Sequence, residues 1–115
     1  ESLQRVQNCC LRFCFNIRKF DHISYKYKEA GWMRLPERFL LHFGVFLFQL
    51  SKRQLPHYLY KKLIKHSDIH NRPTRYNDHF IVPAHSSALY QRSFSYSAAR
   101  IYNLIPSEIK QSPSS

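Results

Sequence analysis

Glycine is almost missing from this sequence, which holds only Gly31 and Gly44 among its 115 residues. Sheet proteins rich in tight hairpin turns and nucleotide sites built on glycine-rich phosphate loops both need more, so neither fits. Carboxylates are also scarce. Glu1, Asp21, Glu29, Glu37, Asp68, Asp78 and Glu108 are scattered, and only Asp68 with Asp78 has a spacing that does not discourage pairing. Metal-dependent phosphoryl transfer and glycoside hydrolysis need paired carboxylates, and no serine stands in a nucleophile-elbow setting. The chain is therefore expected to have no catalytic residues and no cofactor of its own.

Cysteine is limited to Cys9, Cys10 and Cys14, an odd and clustered set that does not read as a secreted disulfide framework. The opening stretch is polar and charged, without the apolar segment of a signal peptide. Both features lead to the expectation of a reducing, intracellular setting, nuclear or cytoplasmic. The start at Glu1 reads as a piece of a longer protein. Cys10 with Cys14 and His66 with His70 form CxxxC and HxxxH pairs, but roughly fifty residues separate them where a zinc finger needs about a dozen. His79 and His85 add nitrogen ligands without a recognised spacing, and no metal is expected.

No apolar run reaches the roughly 20 residues that cross a bilayer. The longest is Phe39 to Leu50, FLLHFGVFLFQL, interrupted only by His42, Gly44 and Gln49. A helix apolar on every side has to be buried, so this segment is the expected core helix, spanning about residues 36–53. Pro36 and Glu37 suit its first turn; Lys52, Arg53 and Pro56 suit its end. Around it the periodicity predicts a mainly α fold, a small helical bundle with a short β-hairpin in the C-terminal third. A first helix is expected over Leu3 to Ile17, with Leu3, Val6, Cys10, Phe13 and Ile17 on one apolar stripe widened by Cys9, Leu11 and Cys14. A short helix ends at Gly31, after which Trp32, Met33 and Leu35 are expected on the core helix. A third helix is expected to open at Leu55-Pro56 and run to about Lys65. The expected domain plan is a bundle over residues 1–66, a loop, hairpin and short helices over 67–110 packed on it, and a disordered tail over 111–115. The hairpin would pair Phe80 to Pro83 with Ala88 to Phe94, and a helix would run from Ala98 to Leu104 with Ser97 as its cap, stopped by Pro106 and followed by one more turn over Ser107 to Lys110.

Positive charge is what the sequence has in excess. Eighteen Lys and Arg against seven Asp and Glu leave a formal net charge of +11. Such an excess favours a polyanion through counterion release, and nucleic acid, RNA or DNA, is the expected partner rather than a membrane or a small molecule. Arg5, Arg12 and Lys19 recur at intervals of seven and would form a basic line on the first helix. Lys61 and Lys62 load the third. Arg72, Arg75, Arg92 and Arg100 lie among Tyr76, Phe80, Tyr90, Phe94, Tyr96 and Tyr102, a mixture that offers phosphate pairing and base stacking. For Phe94, Tyr96 and Tyr102, packing into a core is the stronger expectation. Seven histidines would strengthen anion binding below about pH 6.5.

Ordered blocks also carry a resemblance. They begin with Leu3-Gln-Arg-Val-Gln-Asn8, Leu11-Arg-Phe13, Asp21-His-Ile23, Gly31-Trp32 and Leu35-Pro-Glu-Arg38. They continue with Leu55-Pro-His-Tyr-Leu59, His70-Asn71 with Arg75, Arg92-Ser-Phe-Ser-Tyr96 and Tyr102-Asn-Leu-Ile-Pro106. In this order they resemble the region downstream of the reverse-transcriptase domain in jockey-like non-LTR (LINE-type) retrotransposons. The resemblance implies a helical C-terminal fragment that lacks the polymerase and endonuclease carboxylates. It further implies a supporting role near the polymerase thumb, holding RNA or DNA, with the polymerase portion of the parent polyprotein as partner. Tyr25 stands where members often have Pro, and Ile101-Tyr102 where Leu-Trp is common. Two alternatives remain open: a docking module without nucleic-acid contact, and a nonfunctional remnant of a dead element.

Overall fold

The computed structural model describes residues 2–113, and the chain is mainly helical. Among the described residues seven α-helices follow in order: α1 Ser2–Cys14, α2 Ser24–Glu29, α3 Leu35–Arg53, α4 His57–Tyr60, α5 His66–Ile69, α6 Phe94–Leu104 and α7 Ser107–Gln111. A 3-10 turn, Tyr90–Arg92, leads into α6. Contacts divide the chain into two compact units, one up to His42 and one from Phe43 onward, so the division falls inside α3 and not near residue 66.

In the first unit α1 and α2 both end in a Schellman motif. Asn16 takes φ 51° and the Ile17 amide donates to the Arg12 carbonyl at 2.9 Å; Gly31 takes φ 66° and the Trp32 amide donates to the Tyr27 carbonyl at 2.9 Å. Asn16 thus stops α1 three residues before the expected end. Asparagine tolerates this left-handed backbone better than most residues, and that was the available signal.

The expected apolar stripe on α1 faces solvent. Leu3 is 72% exposed and Phe13 88%, and Val6, Cys9, Cys10 and Cys14 are exposed too. The inward face is instead Gln4, Gln7, Asn8 and the buried Leu11, again at spacings of three and four. The reason lies in the element it meets. α2, SYKYKE, offers one buried aromatic, Tyr27, whose hydroxyl donates to Asn8 Oδ1 at 2.6 Å and accepts from Gln4 Nε2 at 2.9 Å. Gln4 Oε1 accepts the Leu35 amide at 3.0 Å, and Gln7 Nε2 donates to the Met33 carbonyl at 3.0 Å. Amides, not apolar side chains, join these segments. Trp32 and Met33 remain about 40% exposed, around an open cavity of about 450 Å³ that Arg38, Leu41 and His42 also line.

The second unit holds the larger core: Leu47, Leu50, Leu63, Phe80, Ala98, Ala99 and Tyr102. Only the later half of the apolar run is therefore buried. Phe39, Leu40, Leu41 and Val45 are exposed, contrary to the expectation for a helix apolar all round. Phe43 and Phe46 meet Phe94 edge-on at 6.2 and 6.5 Å between ring centroids, and two small residues about one turn after Phe94 on α6, Ala98 and Ala99, are fully buried. α6 begins at Phe94, four residues before the expected start, with Ser93 in place of Ser97 at its N-cap position.

The expected third helix breaks at Lys61. Leu63 is buried, and the following residues pair with the segment around Phe80: the Ile81 amide donates to the Ile64 carbonyl at 2.8 Å and the His66 amide to the His79 carbonyl at 3.0 Å. This makes a single antiparallel bridge, Lys65 with Phe80. It replaces the expected hairpin, and no strand occurs among the described residues. Gln111 closes α7 and the Ser112 hydroxyl donates to the Ile109 carbonyl, so the expected disordered tail does not begin there; residues 114–115 lie outside the described ones.

Candidate nucleic-acid interface

Positive charge is shared between the units in proportion to their length. From Phe43 onward there are ten Lys and Arg against three Asp and Glu, so this unit carries seven of the eleven net positive charges. The unit up to His42 carries the other four, from eight basic and four acidic residues.

The basic line expected on α1 does not form. Arg5 is exposed on the helix, but Lys19 lies beyond its end, with its ammonium 5.8 Å from the Phe20 ring. Arg12 is committed elsewhere: its guanidinium donates to the Arg18 carbonyl and, at 2.9 Å, to the Asp21 carbonyl. It ties down the segment after α1 and has fewer donors left for a phosphate.

The predicted cations of the second unit are better placed for an external anion. Lys61 and Lys62 are exposed in the turn after α4, Arg72 and Arg75 in the irregular segment between α5 and Phe80, Arg92 at the end of the 3-10 turn before α6 and Arg100 on α6 itself. Among the described residues none of these six has a carboxylate within ion-pair distance; the one ion pair is Lys26 with Glu29 at 2.6 Å. Strand stacking has less to draw on. Phe94 and Tyr102 are committed to the core, and Phe80, 1% exposed, is its largest fully buried side chain. Tyr96 packs edge-on against His85 at 4.6 Å. Tyr76 and Tyr90 remain exposed aromatics near the arginines in sequence.

Sequence reasoning missed a second basic set. Lys52, Lys65 and Lys110, with Ser51, Asp78, Tyr102 and Gln111, line an open cavity of about 370 Å³ in the second unit. Burial holds the Lys110 ammonium below its ordinary pKa, Asp78 partly offsets this and Lys65 adds to it. Burial also lowers the His79 pKa, helped by Lys110 and His66 and opposed by Asp78. His79 therefore stays neutral to lower pH than a free histidine and adds less to acid-strengthened anion binding than composition suggests. A depressed histidine pKa means that the unfolded chain takes up its proton first as pH falls. Stability of this unit is expected to fall from about pH 6.5 down to the lowered pKa and then level off, and His79→Gln should flatten the fall. Urea midpoints at pH 7.5 and 5.5 for both proteins check this; equal slopes would remove His79 from the account.

No three of the His, Cys, Asp and Glu side chains gather as a metal site among the described residues, and no helix there is long and apolar enough to cross a membrane. No family model matches the chain, and no curated protein or solved structure matches it either.

Proposed function

We propose that the chain is a non-catalytic, nucleic-acid-binding module, and that the unit from Phe43 onward makes the contacts. The observation that carries this reading is that Arg72, Arg75, Arg92 and Arg100 of this unit are exposed and, among the described residues, have no acidic partner. The resemblance to the region after a LINE-type reverse-transcriptase domain gives the setting. In that setting the module holds template RNA or target DNA near the polymerase thumb, and chemistry belongs to the polymerase and endonuclease portions of the parent polyprotein.

Binding to labelled single-stranded RNA, single-stranded DNA and duplex DNA across a salt series tests the proposal. Affinity is expected to fall steeply with salt, and the Arg75→Ala, Arg92→Ala pair to reduce the slope of log K against log salt by about 1.4 on single strands and about 1.8 on duplex DNA, as loss of two phosphate contacts requires. A folded chain that binds none of the three at low salt would end this reading.

A second reading has its own support in the unit up to His42. Leu3, Val6 and Phe13 expose one apolar face of α1, as a surface that docks on another protein would. On this reading α1 packs against the polymerase portion, and the two roles coexist in one chain. Leu3→Gln with Phe13→Gln separates them, by abolishing that association while leaving salt-dependent strand binding intact.

A further inference from the structure

The cavity between the end of α3, the Lys65–Phe80 bridge, α6 and α7 has the character of an anion site. Its three lysines come from separate elements, Lys52 from α3, Lys65 from the bridge and Lys110 from α7. Each ammonium sits over an aromatic ring: Lys110 4.7 Å from the centroid of Tyr102, Lys52 5.6 Å from Phe48 and Lys65 5.8 Å from Phe80. Ring faces steady a cation without using its N–H donors, so these donors remain for a ligand.

Lys110 is the anomaly that points to one. It is 8% exposed, yet among the described residues no carboxylate lies within ion-pair distance of its ammonium, and the ammonium makes no hydrogen bond. A lysine is seldom this buried without a paired charge, because its ammonium loses hydration. Its head is not sealed off, since it lines the cavity and does not count among the fully enclosed, unpartnered polar atoms. The Ser51 and Tyr102 hydroxyls, 3.2 Å apart, add two further hydrogen-bonding groups to the same wall.

Charge identifies the ligand class. Three ammonium groups and the Asp78 carboxylate leave an excess of two positive charges. A carboxylate or an internal phosphodiester carries one negative charge and neutralises half of that; a phosphate monoester carries nearly two at neutral pH and three acceptor oxygens. We propose that this cavity binds a phosphate monoester, and that on a nucleic acid it takes the terminal phosphate of a strand. The identity of the carrier rests on the nucleic-acid reading above; the phosphate site itself does not. The pKa of Lys110 is expected to rise on binding, since the ligand supplies the missing counter-charge.

The test uses the full chain and two probes. Inorganic phosphate, titrated against chloride at constant ionic strength, is expected to give saturable amide shifts at Lys65, Tyr102 and Lys110. Short single strands carrying a 5′-phosphate, a 3′-phosphate or neither then ask where the phosphate comes from. A terminal phosphate at one end is expected to tighten binding about tenfold, the effect of one good charge-assisted interaction. Lys110→Met keeps the packed stem and removes the charge, while Lys52→Ala and Lys65→Ala alter less buried positions; all three are expected to abolish the preference with the circular dichroism spectrum unchanged. Absence of saturable shifts with phosphate overturns the site. Equal, salt-dependent binding of all three strands overturns the strand-end assignment and leaves the nucleic-acid reading intact. Saturable phosphate shifts without binding of any strand support the site and end that reading.

Discussion

Replacing Asn103 by aspartate is expected to cost the unit from Phe43 onward about 2–3 kcal/mol, although the two side chains have nearly the same shape. Asn103 on α6 clamps the peptide groups of Phe80: Nδ2 donates to the Phe80 carbonyl at 2.9 Å, and the Phe80 amide donates to Oδ1 at 2.9 Å. One donor and one acceptor on the backbone fix which way the side-chain amide points. Phe80 is 1% exposed, so water is a poor substitute for either partner. Aspartate keeps the acceptor, but turns an oxygen toward the Phe80 carbonyl and brings a charge into a partly buried site. Asn103→Ala leaves both peptide groups without this partner and should cost at least as much. Trp32, the single tryptophan, lies in the other unit, so its fluorescence cannot report the change. Hydrogen exchange of the α6 amides under increasing urea can. A loss under about 0.5 kcal/mol for both variants would mean that the clamp is replaced by solvent.

This clamp marks where sequence reading stopped. Helical periodicity located α3 to within a residue of both ends, because Pro36, Glu37 and the basic residues at the C-terminus are local signals. What the helix buries is not local. Its first half meets α1, where Gln4 accepts the Leu35 amide; its second half meets Phe80 and the alanines of α6, which are apolar. An apolar run shows that burial is available, and the surroundings decide where it is used. The same reasoning explains α1. Its apolar stripe was real as a pattern, and the inward face was the polar one, since Tyr27 offered a hydroxyl as well as a ring.

The fate of residues 56–65 and 80–94 has one cause. Phe80 in an apolar FIV run reads as strand, and its nearest sequence partner for a hairpin is the segment around Leu89. Its partner in space is Lys65, fifteen residues earlier, and this pairing also removes the last turn of the expected third helix. Pairing of this kind leaves no periodic trace in a single sequence. The candidate cations divide in the same way. Arg72, Arg75, Arg92 and Arg100 were legible because aromatic interleaving is a local pattern, and they are exposed as binding would need. Lys52, Lys65 and Lys110 were passed over because each alone looks like a solvated helix-end or turn lysine; only the fold brings them to one cavity. The unusual burial of Lys110 had no sequence signal beyond its place after Pro106, where α7 turns back toward Tyr102.

Phe80→Ala should be the most damaging single change in the second unit, at about 3–5 kcal/mol, the usual cost of emptying a phenylalanine site in a close-packed core. The ring lies 4.5 Å from that of Tyr102, tilted at 51°, within the cluster that includes Leu47, Leu50, Ala98 and Ala99. These neighbours sit on two helices, α3 and α6, with their own backbone hydrogen bonds, so collapse into the vacated space should be limited. Function should follow packing, because the same ring supports the Lys65 ammonium at 5.8 Å and positions Tyr102, which in turn lies under Lys110 at 4.7 Å. Truncation removes the footing of two of the three lysines at once. Phosphate-induced amide shifts at Tyr102 should therefore weaken in Phe80→Ala even at temperatures where α6 stays protected from exchange. Phe80→Leu refills most of the space and leaves the Asn103 clamp in place, so it should cost only about 1–2 kcal/mol while also lacking the ring beneath Lys65. The two variants thus separate packing from cation support: a phosphate response lost in Ala and kept in Leu assigns it to core volume, and one weakened in both assigns it to the aromatic face. A cost below about 1 kcal/mol for Phe80→Ala would mean that the cluster tolerates or fills the cavity, against the close packing argued for it.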